Sequence, residues 1–390
     1  MDAISQRIHD LHEETVATRR DFHMHPELAF EEVRTSQIVA ERLRSLGLQV
    51  TTGIAKTGVM AVLHGGKPGP TLLIRADMDA LPIEEANDVA YRSQIPGVMH
   101  ACGHDAHTAI ALSTARVLAE MQPVLPGTIK FVFQPAEERY GGAKPMIESG
   151  VLESPRVDAA IGLHVSSTLP TGQICAEAGS RYANTDSFTL TIRGRGGHGA
   201  RPHTTVDPIS VGFQVGSALQ TLVSRETNPL HSAAVTIGSV HGGTVSNVIP
   251  MQMVFEGTVR TYDLELREQL RRRIKELAGG ICGAMRAELD YVWHDGYPVL
   301  VNDDRVTAFV REAAHETVSP HHVVRTDPTM GGEDMAYFLR EVPGCFFNLG
   351  TMNSDLETDF PHHHPRFDLD ESALSTGVEV LVRSALRFLG

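Results

Sequence analysis

At 390 residues the chain is too long for one ordinary core and divides comfortably into two domains. Its net charge of −14, from 34 Lys and Arg against 48 Asp and Glu, opposes nucleic acid as a partner, so an anionic substrate must be gripped by local positive charge. No apolar run is long enough to span a bilayer and the opening residues are charged from the start, so we expect no membrane association, no secretory leader and a cytoplasmic protein.

In chain order, Ile4, Ile8 and Leu11 at helical spacing predict an opening amphipathic helix, and a second helix covers 33–46 and stops at Gly47. Three short apolar runs, 71–74, 129–133 and 159–163, read as buried strands, with a helix over 107–121 between the first two. Strands alternating with helices imply an α/β layer structure. Between 184 and 299 the rhythm changes: strand 187–193, helix 207–225, strands 233–240 and 251–260, helix 264–286 and strand 288–294. This βαββαβ order is the split ferredoxin-like unit, self-contained and therefore read as an inserted domain. The α/β pattern then resumes with a helix at 306–317, a strand at 345–349 and a final helix from Glu371.

Open α/β sheets bind ligands beyond the carboxyl ends of their strands, and the polar clusters of this sequence fall there. The first strand runs into Arg75-Ala76-Asp77-Met78-Asp79 and the second into Gln134-Pro135-Ala136-Glu137-Glu138. The third ends on His164, and the strand at 345–349 leads to His362-His363-His364-Pro365. His100-Ala101-Cys102-Gly103-His104-Asp105-Ala106-His107 immediately precedes a helix. Five separate segments thus carry metal-capable side chains to one sheet edge.

Cys102 and His104 combine thiolate and imidazole, which favour zinc, nickel or cobalt over magnesium, and the thiolate is able to bridge two ions. The plainer reading is a buried free cysteine beside a surface histidine; the four cysteines are scattered without C-x-x-C spacing, so no disulfide framework is expected. Adjacent Glu137 and Glu138 would repel one another without a cation. With Pro135 breaking the strand both turn toward one centre, one carboxylate binding metal while the other serves as general base. Solvated surface charge is the plainer reading of that pair, and a satisfied core histidine that of His164. Spacing does not select among His362, His363 and His364.

The segments Phe22-His23-Met24-His25-Pro26-Glu27-Leu28, Arg75 to Pro82, Met99 to Asp105, Gln134 to Glu138 and Asn247-Val248-Ile249-Pro250 resemble, in order over essentially the whole chain, the bacterial hippurate hydrolase and aminoacylase amidohydrolases. They are also similar to the plant auxin–amino acid conjugate hydrolases. The resemblance implies a zinc-peptidase-like catalytic domain over 1–183 and 300–390, a mixed sheet flanked by helices. It is interrupted by a ferredoxin-like lid domain over 184–299 that dimerises. Two divalent metal ions, zinc, manganese, nickel or cobalt, are implied, with Cys102, His104, Glu138, His164 and His363 as ligands. His363 is the choice because the family has a His-x-Pro at that ligand. Glu137 corresponds to the catalytic base, and His198, in Gly196-Gly197-His198-Gly199, to a histidine that supports the reacting carbonyl, often across a dimer interface. Asn247 and Arg260 resemble residues near the substrate carboxylate; Asp77 and Asp79 orient the site. The implied reaction is hydrolysis of the amide bond of an N-acyl amino acid by a homodimer or higher homo-oligomer. A carboxypeptidase or dipeptidase acting on short peptides shares the chemistry. A cysteine hydrolase with Cys102 as nucleophile and His104 as base, or a non-catalytic metal-dependent binding protein, are readings of another kind.

Overall fold

The computed structural model describes residues 2–390, which form two units. One takes the chain up to Gly179 together with Val301–Asp327 and Asp334–Gly390; the other is Ser180–Leu300 with Pro328–Glu333. Among the described residues no helix is long and apolar enough to cross a membrane.

In the first unit the apolar runs build a seven-stranded sheet, ordered Gln49–Ile54, Gly58–His64, Pro126–Gln134, Lys67–Asp77, Ala159–Pro170, Gly344–Met352 and Ile174–Cys175. The four middle strands are parallel and the outer pairings antiparallel, so the sheet is mixed. Parallel strands need both faces covered, which is why their sequences are continuously apolar: Leu72, Leu73, Ile74, Phe131, Val132 and Phe133 are all fully buried. The helices His104–Glu120 and Ala373–Leu389 pack on this sheet. All four parallel strands point the same way, so their carboxyl ends share one edge. Register places Asp77 opposite Gln134 and His164 opposite Asn348.

Several elements differ from the sequence reading. The opening helix is two, Ala3–Asp10 and His12–Met24. The second buries Thr15, Thr18, Arg19 and His23 beside Val16 and Phe22, so its inward face is largely polar and shows no hydrophobic periodicity. The strands Gln49–Ile54 and Gly58–His64 were not expected; the first is mostly exposed and carries no apolar alternation. The short helices Ala143–Glu148 and Met335–Glu341 were also missed. The third strand does not end on His164 but runs to Pro170, because Val165 and Ser166 continue the pairing with Leu349 and Gly350.

The second unit has a four-stranded antiparallel sheet ordered Ala233–Gly242, Gln252–Thr261, Asp186–Arg193, Glu288–His294. The first and third strands in chain order lie at its centre, the arrangement of a ferredoxin-like βαββαβ unit. Its helices are Pro208–Thr221 and Leu264–Ala284, each N-capped by an aspartate, Asp207 and Asp263. Asp186–Arg193 alternates buried and part-exposed residues, and Phe188, Leu190 and Ile192 pack against Val211, Val215, Leu270 and Ile274.

Candidate metal centre

Gly103 lets Cys102 and His104 face the same space. It occupies the left-handed region (φ 87°) at the N-cap of the helix His104–Glu120, and a Cβ there would lie 2.3 Å from Val165 Cγ2. Behind it, His107 receives the Val165 N–H on Nε2 at 2.9 Å, so its own proton sits on Nδ1 and is donated to Asp77 Oδ1 at 2.6 Å. The other Asp77 oxygen accepts from Arg75 at 2.6 Å. One buried histidine thereby joins the helix that begins with His104 to the strand that carries His164.

The strand Pro126–Gln134 stops before Pro135, and Ala136 turns in the left-handed region (φ 58°). The next two amides, of Glu137 and Glu138, both donate to the buried Asp79 carboxylate, at 2.9 and 3.0 Å. Asp79 Oδ1 also stands 3.3 Å from His104 Nδ1. His164 donates Nδ1–H to the Val165 carbonyl at 2.7 Å, which leaves its Nε2 lone pair facing Cys102 Sγ at 3.5 Å. The His363 amide donates to the Ala101 carbonyl at 2.8 Å, tying the histidine loop to the cysteine segment, and its Nε2 lies 3.3 Å from Glu138 Oε1.

The donor atoms of Cys102, His104 and His164 lie within 4.8 Å of one another, as do those of Cys102, Glu138 and His363, and those of His104, Glu137 and Glu138. Cys102 is common to the first two groups. Among the described residues, His363 is the one of the three consecutive histidines that joins such a group; the His362 ring packs 4.9 Å from Phe367 and His364 stacks 4.8 Å from Phe360. Glu137 is buried beside His104, Glu138 and the rest of the cluster.

The electrostatics of this cluster are those of a cation site. Burial pushes the Cys102 thiol well above its ordinary value and Glu138 adds to the shift, so a thiolate forms here only if positive charge is brought in. Burial opposes charging of His104, but the Asp77 and Asp79 carboxylates outweigh it and raise that group. Burial, reinforced by His107 and His362, drives His164 well down, keeping its ring neutral as a metal ligand must be. Nε2 of His104 and Oε1 of Glu138 are buried without a hydrogen bond. An unsatisfied buried polar atom costs roughly 1–3 kcal/mol, and these point into the shared space where a cation would satisfy them. Thiolate, imidazole and carboxylate together suit a borderline-soft divalent ion.

Three residues expected near the substrate lie in the second unit. His198 is exposed on a short strand paired with Val248–Ile249. The Ala200 N–H donates to its Nδ1 at 3.1 Å, so in the neutral ring Nε2 carries the proton and is a donor. Asn247 is exposed on the adjoining loop, its carbonyl accepting from the Gly199 N–H at 2.8 Å. Arg260 is half-buried; burial lowers its pKa, Asp186 counters this, and it has no ion pair among the described residues.

Sequence reasoning assigned no role to His107, Arg75 or Glu32. His107 carried a signal, since its i+3 spacing from His104 on a helix puts both on one face.

The model of peptidase family M20/M25/M40 matches residues 73–387. An N-acetyl-L-cysteine deacetylase of Bacillus subtilis is 42% identical, with 97% of this chain and 89% of that protein aligned. Thermostable carboxypeptidase 2 of Saccharolobus solfataricus is 37% identical over 100% of this chain and 98% of its own length. A crystal structure described as a dinuclear metal binding peptidase from the M20 family, of Bacillus subtilis, superposes with a TM-score of 0.85 at 36% identity, covering 97% of this chain and 99% of that one.

Proposed function

Because this chain belongs to peptidase family M20/M25/M40, we propose that it is a metal-dependent amidohydrolase, cleaving N-acyl amino acids to a carboxylic acid and a free amino acid. The observation that carries this reading is the pair of donor groups sharing Cys102, with Glu138 and His363 in one and His104 and His164 in the other. Two divalent cations held by these residues would supply Lewis-acid polarisation of the acyl carbonyl and a water of lowered pKa.

The chain's own residues do the rest. Glu137 takes the proton of the attacking water and returns it to the nitrogen of the departing amine. Asp79, by holding the amides of Glu137 and Glu138, keeps the two carboxylates at fixed separation. His198 hydrogen-bonds through its Nε2–H to the developing oxyanion, a charge-directed stabilisation. Arg260 pairs with the substrate carboxylate and Asn247 hydrogen-bonds to it; the half-burial that lowers the guanidinium's pKa fits a cation awaiting an anionic partner. Thiolate and imidazole favour zinc, nickel or cobalt, and the carboxylate ligand leaves manganese a candidate. Exposed Phe213, Val240, Val245, Val248 and Met251 on the second unit support association of copies through that unit. Four free cysteines fit a reducing, cytoplasmic setting.

The test is a hydrolysis screen of N-acetyl, N-benzoyl and indole-acyl amino acids, with and without chelator, beside dipeptides and C-terminally free peptides. The proposal expects cleavage of the acyl amino acids, loss with chelator and return with added metal. Exclusive cleavage of peptides would make the protein a carboxypeptidase instead, and activity that survives chelation would point to Cys102 as nucleophile. Glu137→Gln is expected to keep its metal while losing on the order of 10²–10⁴-fold in kcat.

A further inference from the structure

The segment 27–32, just ahead of the helix Val33–Ser45, passes between the two loops that carry the carboxylates of the site. On one side the Glu27 carbonyl accepts from the Ala80 N–H at 2.8 Å, one residue beyond Asp79. On the other, Glu32 Oε1 accepts from the Ala136 N–H at 2.9 Å, while its Oε2 accepts from the Thr57 hydroxyl. The Phe30 ring stacks 6.0 Å from Tyr140, a second tie to the same loop. Three successive amides, of Ala136, Glu137 and Glu138, therefore each end on a buried carboxylate: the first on Glu32, the other two on Asp79.

Two physical costs meet at this point. Ala136 is not glycine, and its left-handed conformation costs about 1–2 kcal/mol unless its surroundings impose it. Glu32 has no exposed surface and, among the described residues, no cationic partner, and burial pushes its carboxyl up to about 7. Oε1 also accepts from the Phe30 N–H at 3.0 Å, but a buried carboxyl without a counter-ion is a costly way to hold a turn, so its place calls for another reason. The amide it holds supplies one.

We propose that Glu32 is a positioning residue for Glu137 and Glu138: by accepting from the Ala136 amide it sets the turn that aims both carboxylates into the donor cluster. The proposal rests on the roles assigned to that pair above. Glu32 touches neither substrate nor metal; it acts through the backbone of residue 136.

The experiment compares the metal-reconstituted full chain with Glu32→Met, which fills similar space without an acceptor, and Glu32→Gln, whose amide oxygen still accepts from Ala136. Each is assayed well below its own Tm for kcat and KM on an N-acyl amino acid, and the metal-free forms are titrated calorimetrically with zinc. Glu32→Met is expected to lower kcat by about 10- to 100-fold with KM within about threefold, the effect of a misplaced reacting group. Its zinc affinity should fall by about tenfold, as for loss of a group that orients a ligand. Glu32→Gln should keep kcat and zinc affinity within about threefold of wild type. A folded Glu32→Met with wild-type kcat and zinc affinity overturns the proposal, and so does a Glu32→Gln as impaired as Glu32→Met. If Glu32→Met does not fold, Thr57→Val decides: it removes the hydroxyl that anchors Oε2, and unchanged kcat and zinc affinity overturn the proposal. If wild type cleaves no N-acyl amino acid, the substrate reading fails alone; weakened zinc binding in Glu32→Met then still supports the positioning role.

Discussion

At Glu32 the demands of stability and of the site pull in opposite directions, and pH separates them. In the folded chain burial holds this carboxyl at about 7, against an ordinary value of 4.5 in the unfolded one. A group whose pKa rises on folding stabilises fully below its unfolded value, and that contribution is lost as pH climbs through the folded value. Wild type should therefore lose about 2.5 kcal/mol relative to Glu32→Gln between pH 5 and pH 8, at about 1.4 kcal/mol per unit. Urea unfolding of both metal-free proteins at the two pH values measures it, and a constant difference would contradict the account. Which residues the fold gathers into one donor cluster was largely legible, because Cys102, His104, Glu137 and Glu138 stand in dense polar clusters beside apolar strands and His164 interrupts one. Their supports were not. Glu32 reaches Ala136 across 104 residues of chain, and a side-chain acceptor for a distant amide leaves no periodic trace. The histidine run 362–364 stayed ambiguous for a related reason: His363 alone faces Glu138 because its backbone adopts φ 65° and its amide is tied to Ala101, neither of which spacing encodes.

Among the elements, the helix His12–Met24 matters more to the site than its plain sequence suggests. Its Arg19 is fully buried, with Nε 2.8 Å from Asp105, a second contact to Asp368 at 2.8 Å and a third to Glu371 at 3.2 Å. Asp105 is the second residue of the helix that His104 begins, so this ion network fixes the end of that helix from behind. His23, on the same face, hydrogen-bonds Asp105 at 2.8 Å. Arg19→Ala leaves Asp105 buried with its main counter-charge removed and is expected to cost about 3–5 kcal/mol of stability. Chemical denaturation of the metal-free protein measures the loss; a change below about 1 kcal/mol would show that the network is not holding the helix. The same polarity explains why this helix escaped notice while Leu264–Ala284, with Leu266, Leu270, Ile274 and Ala278 inward, did not. The unexpected edge strand follows the same logic: Gln49–Ile54 is held by backbone pairing to Gly58–His64 rather than by a buried face.

For the whole molecule, the parallel middle of the first unit's sheet does the organising. Four strands running one way bring their carboxyl ends to a common edge, and the loops beyond carry carboxylate and imidazole donors there. That much followed from apolar runs punctuated by polar clusters, as did the βαββαβ order of the second unit, whose alternating strands and amphipathic helices each announce their period. The antiparallel flanks did not: Gln49–Ile54 is mostly exposed and polar, and Gly58–His64, though apolar and buried, is a short run framed by glycine and histidine.

The central claim is that the residues around Cys102 hold two divalent cations. Anomalous difference maps from crystals of the manganese- or zinc-reconstituted protein test it most directly. The account predicts two peaks per chain, each about 2.0–2.4 Å from donor atoms drawn from Cys102, His104, Glu138, His164 and His363. Full metal occupancy at other residues, with no peak against the Cys102 sulfur, would contradict it.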